Sequence, residues 1–188
     1  MKIRYDIRRY SPMIETDTKS EYNRIWIVQF MVSGKLFALK TDDTQEVVHM
    51  AELMTPPGLP SFLSGFITIE GRAIPVLALS ILTGASEQPI GLYTPVVILK
   101  NKKAPMAFIV ETILNVEPVD QDHLYPLDDE TIFNQCVSLS GKNSDGNTFY
   151  LLSPDRILLA QEKKRVLEFQ AILQNRLDDL TVKEATDE

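Results

Sequence analysis

An all-β domain with peripheral helices is the fold class predicted for this chain of 188 residues, and three observations predict it. Between residues 25 and 152 the apolar residues fall in short runs rich in Val, Ile and aromatics. Turn residues separate those runs at short, regular spacing, with little room for helices between them. Beyond Asp155 no Gly or Pro interrupts the chain, and the apolar residues take up a helical period.

Residues 26–32 form the first β-rich run, Ser33-Gly34-Lys35 a turn and Leu36-Phe37-Ala38-Leu39 the returning strand, which together predict a hairpin. Thr41-Asp42-Asp43 offers a cap and first-turn acids, so a short helical turn is expected over 42–46. Residues 47–53 are apolar and extended. Thr55-Pro56-Pro57-Gly58-Leu59-Pro60 is a stiff loop, because three prolines remove three backbone donors. Residues 62–69 and 72–79 flank Glu70-Gly71 as a second hairpin, with Pro75 placing its strand at an edge or beside a bulge. Residues 96–99 and 106–110 flank Asn101-Lys102-Lys103, and 136–139 and 148–152 flank Asn143-Ser144-Asp145-Gly146. These are the third and fourth hairpins. Two groups, roughly 25–83 and 94–152, fit two small barrels joined by a crossing over 84–91, and a single larger sandwich fits the same strands.

Ser153-Pro154-Asp155 supplies a hydroxyl cap, a proline where no donor is missed and an acid at the positive end of a helix dipole. Leu159, Val166, Leu173 and Leu180 recur seven apart, with Phe169, Ile172 and Leu177 alongside. The helix is therefore amphipathic. Glu162 and Arg176 interrupt any coiled-coil seam, so packing on its own domain is expected ahead of a partner-binding role. The organisation read from the chain is an N-terminal arm over 1–24, a domain over 25–160, and a C-terminal helix with an acidic tail over 161–188.

Nineteen basic residues face 26 acidic ones, a net charge of −7. That balance argues against broad nucleic-acid binding and docking on an anionic membrane, both of which need a concentrated basic surface. Cys136 is the single cysteine, so no intramolecular disulfide forms, and a lone thiol suits a reducing compartment. No apolar run reaches the ~18 residues that span a bilayer. The start, MKIRYDIRRY, has no apolar stretch behind its basic residues. A cytoplasmic location without membrane insertion is expected.

Catalysis needs titratable groups held together. His49 and His123 each stand alone, without a metal-ligand spacing around them. Phosphate-binding and dinucleotide-binding glycine patterns are absent, as is a nucleophile elbow. Cys136 lies in a strand, where it reads as a small buried hydrophobe. Asp120, Asp122, Asp128, Asp129 and Glu130 lack the alternating spacing of a calcium loop. Trp26, Phe30 and Phe37 read as core rather than as a stacking platform. The chain is expected to be an interaction module with no enzyme activity, no cofactor and no metal.

Leu59-Pro60-Ser61-Phe62-Leu63-Ser64-Gly65-Phe66-Ile67-Thr68-Ile69-Glu70-Gly71-Arg72-Ala73-Ile74-Pro75-Val76 resembles the corresponding stretch of the CheW-like domain family of chemotaxis coupling proteins. That family carries Gly-Val-(Ile/Thr)-Asn-Leu-Arg-Gly there, followed by Val/Ile-Pro-Val/Ile. The opening hairpin over 26–39, Gln45-Glu46-Val47, the stretch over 108–116 and Leu151-Leu152-Ser153-Pro154-Asp155-Arg156 agree in order, so the resemblance covers about 25–160. It implies two SH3-like five-stranded barrels. It also implies a scaffold between the cytoplasmic tip of a chemoreceptor and the regulatory domain of a CheA-type histidine kinase. The residues it implies for the groove between the barrels are Thr44, Glu46, Gly65 and Ile67, joined by Val110 and Ile113 from the second half.

Four positions depart from the family, the mildest being Glu111 in place of an Asp. Glu70 replaces an Arg before the hairpin glycine and would repel a partner carboxylate, while Arg72 lies two residues on. Ala78-Leu79-Ser80 replaces Asp-Leu-Arg. These changes admit an alternative: an assembly or decoy protein of the same fold that binds a different partner, as in type IV pilus signalling.

Overall fold

The computed structural model describes residues 4–5, 23–86, 89–100, 105–127, 136–158 and 160–186. The arm expected over 1–24 lies outside these apart from Arg4, Tyr5, Asn23 and Arg24. The turn at Asn101-Lys102-Lys103 and the acids Asp128, Asp129 and Glu130 lie outside them as well. Leu159 is also outside, and nothing is described of the Leu180 side chain.

The first long hairpin joins β2 (Arg24–Val32) to β3 (Lys35–Lys40), after a short β1 (Arg4–Tyr5). A 3-10 turn, Thr41–Asp43, leads into β4 (Thr44–His49). It is shorter than the helical turn expected over 42–46, because the β4 pairing begins at Thr44. The second hairpin is β5 (Leu63–Ile69) and β6 (Arg72–Leu77), followed by the short α1 (Leu79–Leu82). Its turn residues Glu70 and Gly71 have φ of 50° and 75°, and Ser33 and Gly34 of the first hairpin have 51° and 70°. Both are two-residue turns with positive φ at each position, the kind that matches strand twist. β7 (Pro95–Leu99), β8 (Ala107–Ile109), β9 (Thr112–Asp120), β10 (Tyr125–Pro126), β11 (Val137–Lys142) and β12 (Thr148–Leu152) complete the strands. Pro154–Arg156 forms a 3-10 turn, and α2 runs from Ala160 to Thr186. The helix thus starts later than Ser153-Pro154-Asp155 suggested.

The expected pair of closed five-stranded barrels is not what forms. The strands make two open six-stranded sheets, in the orders β1-β4-β7-β8-β6-β5 and β10-β11-β12-β3-β2-β9. A barrel requires its first and last strands to pair, and among the described residues the end strands of each sheet do not. Each sheet is mixed, through a parallel contact of β6 with β8 and of β12 with β3. The pairing also departs from chain order: β2 and β3 join β9 to β12, while the middle of the chain builds the other sheet. The edges are blunted instead of closed. On β5, Phe66 exchanges two backbone bonds with Met54 of the proline-rich loop, at 2.8 and 2.9 Å. On β9, Pro118 sits in the edge strand, where a missing donor is tolerated.

Alternation along the strands explains the layers. Val28, Phe30, Phe37 and Leu39 of one sheet meet Val47, Phe66, Leu77, Val97 and Phe108 of the other in the central core. The Phe30 and Phe108 rings lie 5.5 Å apart. Ile27, Ala38, Phe149 and Leu151 face the opposite side of their sheet, and Ile67, Ile74, Val96 and Ile98 do the same on theirs. Each such side chain contributes about 1.5–3 kcal/mol when fully buried. Phe30, Phe37 and Cys136 are therefore core residues, as read from the sequence. α2 adds Val166 and Leu173 to the central core, with Phe169 and Leu177 partly buried against it. The helix packs on its own domain.

Candidate interaction surfaces

Among the described residues the chain passes between the sheets at two places, one at each end of β4. The turn Thr41–Asp43 carries it from β3 to β4, and Thr44 Oγ1 donates to Lys40 O at 3.0 Å to close that turn. Val110 and Glu111 carry it back from β8 to β9. Val110 N–H donates to Pro95 O at 3.1 Å and Glu111 N–H to Met31 O at 2.9 Å, so this crossing is tied to both sheets. The two crossings define the seam, and a groove of 380 Å³ opens along it.

One wall of the groove is the end of β4, Val47 to His49, with Tyr93 and Pro95; the other is the edge strand β9, from Thr112 to Val116. The walls are mainly apolar, and Glu111, His49 and Asn115 supply polar points on them. The loop before β7 forms a lip. Its Leu92 and Tyr93 are 75% and 76% exposed, and Leu114 on the facing wall is 52% exposed. His49 fixes the lip: its Nδ1 lies 3.2 Å from Tyr93 O, and its ring meets the Tyr93 ring edge-on at 5.9 Å. Thr94 O accepts from Met50 N–H at 2.8 Å. Apolar groups held exposed on a pinned loop suit a protein partner better than a small substrate.

The residues implied for partner binding divide into two places. Thr44, Glu46, Val110 and Ile113 lie along the seam, and Ile113 lines the groove itself. Thr44 and Val110 are buried, while Glu46 and Ile113 are half-buried. Gly65, Ile67, Glu70 and Arg72 lie on the β5–β6 hairpin, at the opposite end of the same sheet from β4. Gly65 and Ile67 are buried there, and Glu70 and Arg72 are exposed at its tip. Gly65 has φ of +152°, and a Cβ on it would lie 2.6 Å from Met54 O.

Sequence reasoning passed over the lip. The apolar trio Ile90, Leu92 and Tyr93, inside a connection punctuated by Gly and Pro, was the available signal. It also passed over a buried polar knot on β2. The Glu117 carboxylate accepts from the Gln29 amide, from Ser144 N–H at 3.2 Å and from Ser144 Oγ at 2.6 Å. Asn143 Nδ2 donates to Gln29 Oε1 at 3.1 Å, which pins the β11–β12 turn to the sheet.

His49 serves the groove, whereas His123 is exposed on a separate 3-10 turn. Burial pushes the Cys136 thiol up to about 11, far from an activated nucleophile. Asp120 caps the turn before Leu124 by accepting from Asp122 N–H at 3.2 Å. Among the described residues no group of three His, Cys, Asp or Glu is placed to hold a metal ion. No helix among them is long and apolar enough to cross a membrane.

Residues 27–162 match the CheW-like domain. A curated relative, the chemotaxis protein CheW of Thermotoga maritima, is 23% identical over 137 residues, covering 70% of this chain and 86% of the relative. A solved structure, the scaffolding protein TtCheW from Thermoanaerobacter tengcongensis, is similar with a TM-score of 0.63 at 25% identity, over 69% of this chain and 88% of that one.

Proposed function

The chain belongs to the CheW-like domain family, a non-enzymatic scaffold that couples receptors to CheA-type kinases in chemotaxis signalling, and we propose that it does so through two separate surfaces. The seam groove receives the cytoplasmic tip of the chemoreceptor. The tip of the β5–β6 hairpin, carrying Glu70 and Arg72, faces the regulatory domain of the kinase. A scaffold must hold two partners at once, and surfaces at opposite ends of one rigid sheet allow that without a clash. Exposed groups make the contacts, Leu92, Tyr93 and Leu114 at the groove and Glu70 and Arg72 at the hairpin, with half-buried Ile113 on the groove wall. Buried Thr44, Gly65, Ile67 and Val110 shape the strands beneath, and Glu46 lies between.

The groove is the observation that carries this reading. Apolar walls exclude water from a docked apolar segment, and the polar rim sets its register. Leu114→Asp tests it, because Leu114 is already half in solvent and its loss leaves the core intact. We expect binding to receptor tips from the same genome to fall at least tenfold while binding to the kinase regulatory domain is kept. Unchanged receptor binding would remove the groove from the interface. Glu70→Arg is expected to change affinity for the kinase domain alone.

A further inference from the structure

The outer side of β6 changes neighbour along its length. β8 pairs there only with Val76 and Leu77. Pro75 has no N–H to give. At Ala73 the neighbour is a helix. Ala73 N–H donates to Gln174 Oε1 at 2.9 Å, Gln170 Nε2 donates to Ala73 O at 2.9 Å, and Gln174 Nε2 donates to Gly71 O at 2.9 Å. Residues four apart on a helix stand one above the other, and a carboxamide carries both donor and acceptor. Two glutamines at that spacing therefore offer the backbone what an added strand would offer. Gln174 is held in turn by Asp178, whose Oδ1 accepts from the same amide nitrogen at 3.0 Å.

We propose that α2 is a displaceable cover on β6, a strand mimic built from Gln170 and Gln174. When it lifts, it opens Gly71–Ala73 to an extended segment of the kinase regulatory domain. This rests on the reading that the hairpin tip faces the kinase. An incoming strand replaces the same backbone bonds one for one, so hydrogen bonding changes little in the exchange. What holds the helix otherwise is the burial of Val166 and Leu173, with Phe169 and Leu177 beside them. The covered backbone adjoins Glu70 and Arg72.

The test uses the full chain with Gln170→Ala, Gln174→Ala and the double variant, and reads two quantities. The first is hydrogen exchange at the Ala73 amide in the free protein. Gln174→Ala, which removes two of the three bonds, is expected to speed it about tenfold, and Gln170→Ala to speed it less. The second is affinity for the kinase regulatory domain, expected to rise about fivefold or more in the double variant. Gln170→Glu sets a carboxylate against the Ala73 carbonyl and should act in the same direction, which guards against a double variant that folds poorly. Unchanged exchange in the double variant overturns the clamp. Faster exchange with no gain in affinity, or with a loss, overturns the role as cover. If wild type and variants alike fail to bind the kinase domain, the kinase reading of the hairpin falls and the covered-site role falls with it, while the exchange arm still decides the clamp.

Discussion

Replacing Gly65 by alanine probes how β5 is seated against the proline-rich loop. The new Cβ would lie 2.6 Å from Met54 O and 2.8 Å from Leu53 Cγ. The leucine can rotate away. The carbonyl cannot, because Met54 and Phe66 exchange their two backbone bonds around that point. Relieving the clash opens the bridge, and two such bonds are together worth about 2 kcal/mol. Holding a non-glycine residue at φ +152° costs roughly a further 1–3 kcal/mol. The expected loss is therefore about 3–5 kcal/mol, a large share of a typical 5–15 kcal/mol stability. Equilibrium urea unfolding measures it, with an unchanged m-value as the check that the same surface unfolds. Gly58→Ala is the control: its φ is +84°, but its Cβ would meet nothing within 4 Å, so only about 1–3 kcal/mol of backbone strain applies. If Gly65→Ala costs no more than Gly58→Ala, the loop yields freely and the bridge does not seat the strand.

Two further outcomes follow from a buried thiol and a half-buried carboxyl. With its thiol pushed up to about 11 by burial, Cys136 favours the neutral form in the fold, so its contribution is complete below its ordinary value of 9.0 and declines as pH rises through 11. At pH 8 the native thiol should be alkylated only as fast as the chain opens, and labelling at the rate of a free cysteine would contradict its burial. Asp43 is raised above its ordinary 3.8, first by burial, with Lys40 acting against the rise. A raised carboxyl stabilises the fold below its unfolded value and loses that contribution as pH rises through the folded one. Asp43→Asn should therefore be at least as stable as wild type in urea at pH 7, with any advantage vanishing below about pH 3; a less stable variant at pH 7 would reverse the sign.

The local punctuation of this fold was legible in the chain. Ser33-Gly34 and Glu70-Gly71 mark two hairpins whose turns do adopt positive φ, and the period of Val166 and Leu173 marks the face that α2 buries. The strand β9 was harder to read, because Asn115, Glu117 and Pro118 break its apolar pattern at an edge where only one side is paired. Nothing local announces that Tyr150 lies beside Phe37 or that Val76 lies beside Ala107; parallel neighbours depend on the whole chain. The barrels failed for the same reason, since closure is a relation between distant strands. Ile113, now on the groove wall, and Glu70 and Arg72, now at the hairpin tip, were among the residues singled out from the sequence. The lip at Tyr93 and the glutamine clamp were not, because an apolar residue in a connection reads as incidental and a glutamine on a helix reads as a solvated face.

The interleaved strand order has a consequence during synthesis. Strands β4 to β8 are contiguous and can assemble as soon as residue 109 has left the ribosome. The β2–β3 hairpin precedes them, yet Phe37 must wait 113 residues for Tyr150. At roughly 5–20 residues per second that is about 6–23 s, during which the nascent chain carries Phe30 and Phe37 with one flank of their hairpin uncovered. The outer edge of β3 thus stays unpaired until β12 has been synthesised.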